Sequence, residues 1–406
     1  MTRPTRAPPI RPADIRGLSR LAIDATLGLT RLVETMHHNI ARMPGPLGKY
    51  TQEPTSGITG LVYRTIQGTT RLVGSGIDAL LAQLLPLLDS GQPTPSATRE
   101  ALLAALNGVL GDHLAASANP LAITMQLRHD GQPLALTSQD LARALPQPGS
   151  KILLLVHGLC MNDLQWTRKG HNHGVALAEA GGFTPLYLHY NSGQHVSTNG
   201  HALAELLETL LQAWPVPVEQ LVIVGHSMGG LVARSACHYG RLGGQRWLEH
   251  LQQMVFLGTP HHGAPLERGG NWVNVVLELS PYTAALARLA KIRSAGITDL
   301  RHGSILDEDW LHGDRFAHRR KRLLVPLPES VRCYAVGATT AAAGGDAAKT
   351  LPGDGLVPLH SALGQHAKPD QNLHIPASQQ WIGYGLHHLD LLDSTEACAQ
   401  LRRWLC

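Results

Sequence analysis

The segment "VIVGHSMGGLVARS", residues 222–235, constrains the fold of this chain more than any other stretch. Its first residues are apolar and mostly β-branched without alternation, which is typical of a strand buried on both faces. From Leu231 onward, apolar residues recur at helical spacing. Between the two lies the pentapeptide Gly-His-Ser-Met-Gly (225–229), whose glycines leave room for a sharp turn at the serine. The pattern therefore predicts a strand–turn–helix unit with Ser227 at the turn.

Strand-like and helical segments alternate on both sides of this unit. The strand-like segments are "KILLLVHG" (151–158), "TPLYLHY" (184–190), "QLVIVGH" (220–226), "QMVFLGT" (253–259) and "SVRCYAVGA" (330–338), with a last strand expected near 379–383. Before them, "AITMQLRHDGQPLAL" (122–136) has the pattern of a β-hairpin that turns at Asp130-Gly131. The alternation predicts the α/β class, with a mainly parallel sheet covered by helices on both faces.

The 406 residues suffice for one large α/β domain and a smaller appendage. Apolar residues follow a helical rhythm over 13–43, 57–89 and 97–115, so we predict an N-terminal helical appendage over 1–116. The α/β domain is then expected over 117–406. A long connection, about 264–329, interrupts the strand–helix alternation, and such an insertion is typical of a helical lid over a pocket.

Charge is distributed unevenly along the chain. Its net charge is +4, but residues 1–75 carry ten basic and four acidic residues, a net +6. Two interpretations of this basic, helical region remain open: peripheral contact with an anionic membrane, or ordinary solvated helix faces. The basic run "HRRKR" (318–322) has no interleaved aromatic residues, so no nucleic-acid partner is expected. Nothing in the sequence indicates the oligomeric state.

Compartment and cofactors are predicted from patterns that the sequence lacks. The N-terminus has no apolar signal-peptide core, and the five cysteines are dispersed and odd in number, which favours a reducing cytoplasmic location, with membrane contact at most peripheral. His171 and His173 form an "HNH" pair, but no H-E-x-x-H motif or Cys/His cluster with ligand spacing accompanies it. No G-x-G-x-x-G motif follows a strand. We therefore expect neither a metal nor a cofactor.

The pentapeptide raises the question of partners for Ser227. A serine hydroxyl is a poor nucleophile unless a histidine base, an acid and oxyanion donors surround it. Downstream, "LPGDGLVPLH" (351–360) places Asp354 between two glycines in a loop, and "YGLHHLDLL" (384–392) places His388 before a helix. Asp346 and Asp370 compete with Asp354, and His387 competes with His388.

Four blocks of the sequence resemble the α/β-hydrolase superfamily. They are "LLVHGL" (154–159), "GHSMGGLVAR" (225–234), "LGTPHHGAP" (257–265), and "GDGLVP" (353–358) together with "HHLDLL" (387–392). Over about 150–395 the chain resembles bacterial lipases and esterases and the GPI-inositol-deacylase-like serine hydrolases. The N-terminal helices fall outside this resemblance.

The resemblance implies an α/β-hydrolase fold and a catalytic triad of Ser227 as nucleophile, Asp354 as acid and His388 as base. It also implies an oxyanion hole formed by the backbone N–H groups of Leu159 and Met228. Further residues are expected to line the pocket: His157, His226, His261, His262 and Trp272. The expected reaction is hydrolysis of a carboxylic or lipid acyl ester through an acyl-enzyme. Two alternatives remain: an amidase, thioesterase or acyltransferase with the same triad, and a non-catalytic α/β-hydrolase scaffold that binds a partner or membrane.

Overall fold

A computed structural model of the chain describes residue 17 and residues 97–145, 147–264, 294–311, 324–343 and 352–406. Its centre is an eight-stranded sheet with the order β2-β1-β4-β3-β5-β6-β7-β8. The strands are β1 (Gln126–His129), β2 (Gln132–Pro133), β3 (Lys151–Val156), β4 (Thr184–His189), β5 (Gln220–His226), β6 (Leu251–Leu257), β7 (Arg332–Thr339) and β8 (Gln380–Tyr384). Strand β1 runs antiparallel to β2 and β4, and the other neighbours are parallel.

Helices cover both faces of this sheet, which confirms the predicted fold class. They are α1 (Ala97–Ala116), α2 (Ser138–Ala144), α3 (His173–Gly181), α4 (Val196–Ala213), α5 (Met228–Leu242), α6 (Trp247–His250), α7 (Ala295–His302), α8 (Glu308–Leu311), α9 (Leu359–Ala362) and α10 (Thr395–Leu405). The predicted hairpin turn is also present: Asp130 and Gly131 have φ angles of 48° and 72°, as a two-residue type I′ turn requires.

Two apolar clusters hold the helices on the sheet. Because side chains alternate along a strand, the continuous apolar run of β3 supplies both clusters. Residues of α4 and α5 belong to the cluster on one face, while residues of α3 and α10 belong to the cluster on the other. Because strands β3 to β8 run parallel to one another, their carboxyl ends lie at one edge of the sheet, where the loops that follow them meet.

Helix α1 packs directly against the α/β domain. The Asn107 side chain donates to the Leu121 carbonyl oxygen (2.8 Å) and accepts from the Ile123 N–H (2.9 Å). The Asn191 side chain in turn donates to the carbonyl oxygen of Gly111 (2.9 Å). The described end of the predicted appendage is therefore in contact with the loops of the sheet. Apart from residue 17, the rest of residues 1–96 lies outside the described part of the chain.

Part of the predicted lid insertion also packs on this domain. Within the described segment 294–311, Asp299 is 2.9 Å from the His195 ring and accepts from the Val196 N–H (2.9 Å) at the start of α4. Ser235 of α5 donates its hydroxyl to the Ile305 carbonyl oxygen (2.7 Å). Residues 265–293 and 312–323 of the insertion lie outside the described residues. Among the residues that are described, no helix is both long enough and apolar enough to cross a membrane.

Candidate active site

Ser227 occupies the turn between β5 and α5 in a strained backbone conformation. Its φ and ψ angles are 54° and −122°, values that match the first central residue of a type II′ turn and favour glycine. The Ser227 N–H donates to the Leu257 carbonyl oxygen (2.8 Å), so the neighbouring strand β6 fixes the turn. A Cβ atom at Gly225 would lie 2.5 Å from the Gly230 nitrogen, and one at Gly229 would lie 2.2 Å from the Val156 oxygen. Both glycines are therefore needed for the close approach of the backbone here.

Asp354 and His388 form a buried pair at the same edge of the sheet. Nδ1 of His388 lies 2.7 Å from Oδ2 of Asp354, and both residues are at most 3% exposed. The other carboxylate oxygen of Asp354 accepts from the N–H groups of Leu356 (3.0 Å) and Val357 (2.7 Å). A carboxylate only accepts hydrogen bonds, so in the neutral ring the proton lies on Nδ1. The Nε2 lone pair of His388 is then available to accept a proton.

His388 is held in place by its backbone as well as by its ring. Its N–H donates to the Asp354 carbonyl oxygen (3.1 Å), and Nε2 of His226 contacts the His388 carbonyl oxygen at 3.3 Å. The His226 and His388 rings are 4.8 Å apart between centroids. Burial, reinforced by the neighbouring His388, holds the pKa of His226 well below its usual 6.5, so His226 is neutral. Since His226 precedes Ser227, this contact joins the turn at Ser227 to the loop that carries His388.

The Nε2 atom of His388 is buried and makes no hydrogen bond to any described residue. Ser227 and His388 are therefore not joined by a hydrogen bond in this structure. The His388 ring nevertheless lies close to the end of β6, whose Leu257 accepts from the Ser227 N–H. A Cβ atom at Gly258, one residue after Leu257, would lie 3.1 Å from Cε1 of His388. Catalytic hydrogen bonds are often long without substrate and tighten only when it binds.

The backbone donors expected for an oxyanion lie beside the serine. A Cβ atom at Gly158 would come within 3.1 Å of the Ser227 Cβ, so the loop after β3 lies against the turn. In this loop the Cys160 N–H donates to Ser192 Oγ (3.0 Å), whereas that of Leu159 has no acceptor among the described residues. Met228 opens α5, so its N–H has no acceptor within the helix. Both groups are available to a bound oxyanion.

The remaining expected pocket residues are packed differently from one another. His157 is fully buried and stacks on Tyr190 with 4.3 Å between ring centroids, and burial lowers the pKa of His157 to about 3, so it is neutral. His261 is also fully buried, with its ring edge-on to Phe256. His262 is half-buried, and its N–H donates to Ser361 Oγ (3.0 Å). Trp272 lies outside the described residues.

The competitors of Asp354 and His388 lie elsewhere. Asp370 is exposed in the short 3₁₀ turn Pro369–Gln371, and His387 is exposed next to His388. The His387 N–H donates to Asp390 (3.0 Å). Asp346 lies outside the described residues. Of the acid and base candidates that the structure describes, Asp354 and His388 are the two that contact each other.

Sequence reasoning missed a buried charged group beneath the loop after β3. Asp163 lies 3.1 Å from both Arg128 and His189, and Arg128 lies 3.0 Å from Glu100 of α1. Burial alone would raise the pKa of Asp163, but the His189 contact and the Arg128 charge outweigh it and lower the pKa. Ser192, which fixes Cys160, was missed too. Its position just after β4, at the carboxyl edge of the sheet, is the signal that could have drawn attention to it.

The sequence comparisons agree with this architecture. Residues 148–331 match the model of a family described as the PGAP1-like alpha/beta domain. Together with the strand order and the turn at Ser227, this match is consistent with an α/β-hydrolase fold. No curated protein matches the sequence significantly.

Solved structures that resemble the chain include lipases and esterases. The mature lipase BlEst2 of Bacillus licheniformis is 17% identical with a TM-score of 0.42, over 70% of this chain and 98% of the lipase. Lipase B of Aspergillus fumigatus is 11% identical with a TM-score of 0.39, over 87% and 76%. The esterase PF2001 of Pyrococcus furiosus is 13% identical with a TM-score of 0.38, over 64% and 84%. Similarities at this level do not identify a substrate.

Proposed function

We propose that this chain is a serine hydrolase that cleaves carboxylic esters, with Ser227 as nucleophile, His388 as general base and Asp354 as the acid that orients it. The observation that carries the proposal is the 2.7 Å bond between two buried side chains, Asp354 and His388, beside a serine with positive φ. Strained backbone of this kind is concentrated at functional sites. A buried, fully oriented imidazole with a free Nε2 is the group that a serine hydroxyl needs.

The reaction proceeds by acyl transfer. His388 Nε2 takes the Ser227 proton while Oγ attacks the ester carbonyl, which forms a tetrahedral oxyanion. Asp354 holds the ring in the Nδ1–H tautomer and stabilises the imidazolium that forms. Collapse of the intermediate transfers the proton to the leaving alcohol and leaves an acyl-enzyme. Water activated by His388 then releases the acid and regenerates Ser227.

The oxyanion is stabilised by the backbone N–H groups of Leu159 and Met228. Met228 N–H lies at the positive end of α5, where the helix dipole adds to the hydrogen bond. In other serine hydrolases one such donor contributes about 2.7–4 kcal/mol to the transition state. His226 and His157 are neutral because they are buried, so neither adds a positive charge beside the base.

Kinetics on a series of p-nitrophenyl esters of increasing acyl length test the proposal. Ser227→Ala, His388→Ala and Asp354→Asn should each lower kcat/KM by about 10⁴-fold or more. The matched controls Ser150→Ala, His387→Ala and Asp370→Asn change side chains outside the site and should retain wild-type rates. Wild-type turnover by folded Ser227→Ala would refute the assignment.

Assays with other substrates distinguish the alternative functions. Parallel assays with anilide and thioester substrates report on an amidase or a thioesterase, and product analysis with an added alcohol acceptor reports on an acyltransferase. If folded wild-type protein turns over none of these substrates, the domain is a non-catalytic scaffold. The triad alone does not select among leaving groups; substrate and water access do.

A further inference from the structure

Three potential metal ligands meet where the start of α3 lies against α10. They are His171 and His173, at the start of α3, and Cys398, in the first turns of α10. One ligand atom of each lies within 4.8 Å of the others. Among the described residues, this is the group of His, Cys, Asp or Glu side chains close enough together to share one ion.

The hydrogen bonds of His173 leave one ring nitrogen facing the cluster. Its Nε2 lies 2.8 Å from the Leu391 carbonyl oxygen. A carbonyl only accepts, so Nε2 carries the proton and Nδ1 carries the lone pair. That Nδ1 atom is 2.8 Å from Nε2 of His171. A backbone carbonyl on the outer nitrogen is the arrangement that fixes the tautomer and orientation of metal-binding histidines.

The backbone that carries each of the other two ligands is also held in place. His171 lies in a tight turn with Arg168, in which each backbone N–H donates to the other residue's carbonyl oxygen (2.8 and 2.9 Å). His171 is half-buried, which leaves an entry path for an ion. Cys398 is a buried free thiol in the first turn of α10, and burial raises the pKa of this thiol, so it keeps its proton until a metal ion displaces it.

We propose that His171 Nε2, His173 Nδ1 and Cys398 Sγ bind one Zn²⁺ ion, with the fourth tetrahedral position open to water. Imidazole and thiolate are the ligands that zinc prefers, and three protein ligands plus water is one of its common coordination sets. On binding, Cys398 releases its thiol proton to solvent and His171 moves its ring proton from Nε2 to Nδ1. No redox step is involved.

The required movements are small. With zinc–nitrogen bonds of about 2.0–2.1 Å, two nitrogens bound tetrahedrally would lie roughly 3.3 Å apart. The 2.8 Å contact between His171 and His173 would therefore open by roughly half an ångström. With a zinc–sulfur bond of about 2.3 Å, each nitrogen would lie roughly 3.6 Å from Cys398 Sγ, so from a separation of at most 4.8 Å the thiol moves in by at most about 1.2 Å. Side-chain rotation suffices for shifts of this size.

Such an ion would join two segments that flank the candidate active site. His173 contacts Leu391, three residues after His388, and α10 packs on α3. The ion would therefore tie α10 to the start of α3, whose His173 contacts the segment after His388, and none of its ligands is Ser227 or Asp354. Its binding can be measured independently of any hydrolase activity.

A cobalt titration tests the proposal. The full chain, produced without a polyhistidine tag and stripped with a chelator, is titrated with Co²⁺ as a spectroscopic substitute for zinc. One ion per chain should bind and give a thiolate-to-cobalt charge-transfer band. Cys398→Ser should abolish the band, and His171→Ala should weaken Co²⁺ binding by more than about 100-fold. Cys406→Ser, which changes the exposed cysteine that follows α10, and His387→Ala are the matched controls and should change neither.

Circular dichroism confirms that each variant is folded, and His171→Ala retains the thiol if Cys398→Ser does not fold. Zn²⁺ should displace Co²⁺ and raise the thermal midpoint of the wild type by several degrees, but not that of Cys398→Ser. The proposal is overturned if folded wild type gives no charge-transfer band. It is also overturned if the band persists in Cys398→Ser, or if Cys406→Ser removes it.

Discussion

Ser227 has a backbone conformation that residues with a side chain rarely adopt. At φ 54° and ψ −122°, a Cβ atom costs about 1–3 kcal/mol, and the surrounding strands must sustain this cost. The close approach at Gly225 and Gly229 and the Ser227 N–H bond to Leu257 supply that support.

Ser227→Gly should therefore be more stable than Ser227→Ala, although both lack the nucleophile. Glycine relieves the positive φ whereas alanine keeps it, so we expect a difference of about 1 kcal/mol in the free energy of unfolding. Thermal or urea unfolding of the two variants measures it. Equal stabilities would mean that the turn is not strained at this position.

Met228 serves the proposed site through its backbone while its side chain fills the core. The residue is fully buried in the cluster beneath α4 and α5. Met228→Ala should cost about 2–5 kcal/mol of stability because it leaves a cavity. The N–H group remains, so kcat per folded molecule should stay within several-fold of wild type. A loss of kcat comparable with that of Ser227→Ala would show that the side chain itself is needed.

At the scale of elements, α1 supports the loop that carries Leu159. A Cβ atom at Gly108 would lie 2.2 Å from Cys160 Sγ and 2.9 Å from Cys160 Cα. Ser294 adds a hydrogen bond to the Gly108 carbonyl oxygen (2.7 Å). The position of the proposed oxyanion donor therefore depends on a helix far from it in sequence.

Gly108→Ala should displace this loop and lower kcat by about 10- to 100-fold, since displacements of about 1 Å at a reacting centre have effects of that size. Alanine favours a helix over glycine, so the change itself does not disfavour α1. Gly243→Ala, at the end of α5 where φ is −79° and the nearest atom would be 3.3 Å away, is the matched control. Unchanged kcat in folded Gly108→Ala would separate α1 from the oxyanion loop.

Strands β3 to β7 could be predicted because each contains a short apolar run, and the run of β3 is buried on both faces. The hairpin was predictable for the same local reason, since Asp130-Gly131 specifies a turn type. The pairing of Asp354 with His388 was expected from the resemblance, through the order of short motifs along the chain.

Long-range packing could not be predicted. The approach of Cys398 to His171 and His173 depends on how α10 lies on α3, which no spacing encodes. The sequence indicated that α1 was helical, but not that its glycines would face Cys160 and Asn191. The sequence likewise provided no reason to expect the buried charged group of Asp163, Arg128 and His189. These residues are isolated polar residues along the chain, and only the fold brings them together in the interior.

At the scale of the whole molecule, buried neutral histidines make stability depend on pH. Burial lowers the pKa of His157 from 6.5 to about 3, and it also lowers that of His226. Below pH 6.5 the unfolded chain takes up protons at these positions whereas the folded chain does not. Acidification therefore favours unfolding, by up to about 1.4 kcal/mol per pH unit for each histidine.

The thermal midpoint should consequently fall between pH 7.5 and 5. His157→Asn should reduce this pH dependence, while His374→Asn, which changes an exposed histidine, should leave it unchanged. Comparing the slope of thermal midpoint against pH for the two variants cancels the contribution of all other titrating groups. Equal slopes for both variants would show that His157 is protonated in the folded protein at these pH values.

Covalent labelling tests the proposed nucleophile most directly. A fluorophosphonate probe reacts with serines that a neighbouring base has activated. Folded wild-type protein should take up one probe per chain, and peptide mass spectrometry should place it on Ser227. Ser227→Ala should take up none, and Ser150→Ala should label like the wild type. A folded wild-type protein that remains unlabelled, or labelling at another serine, would contradict the assignment of Ser227 as the nucleophile.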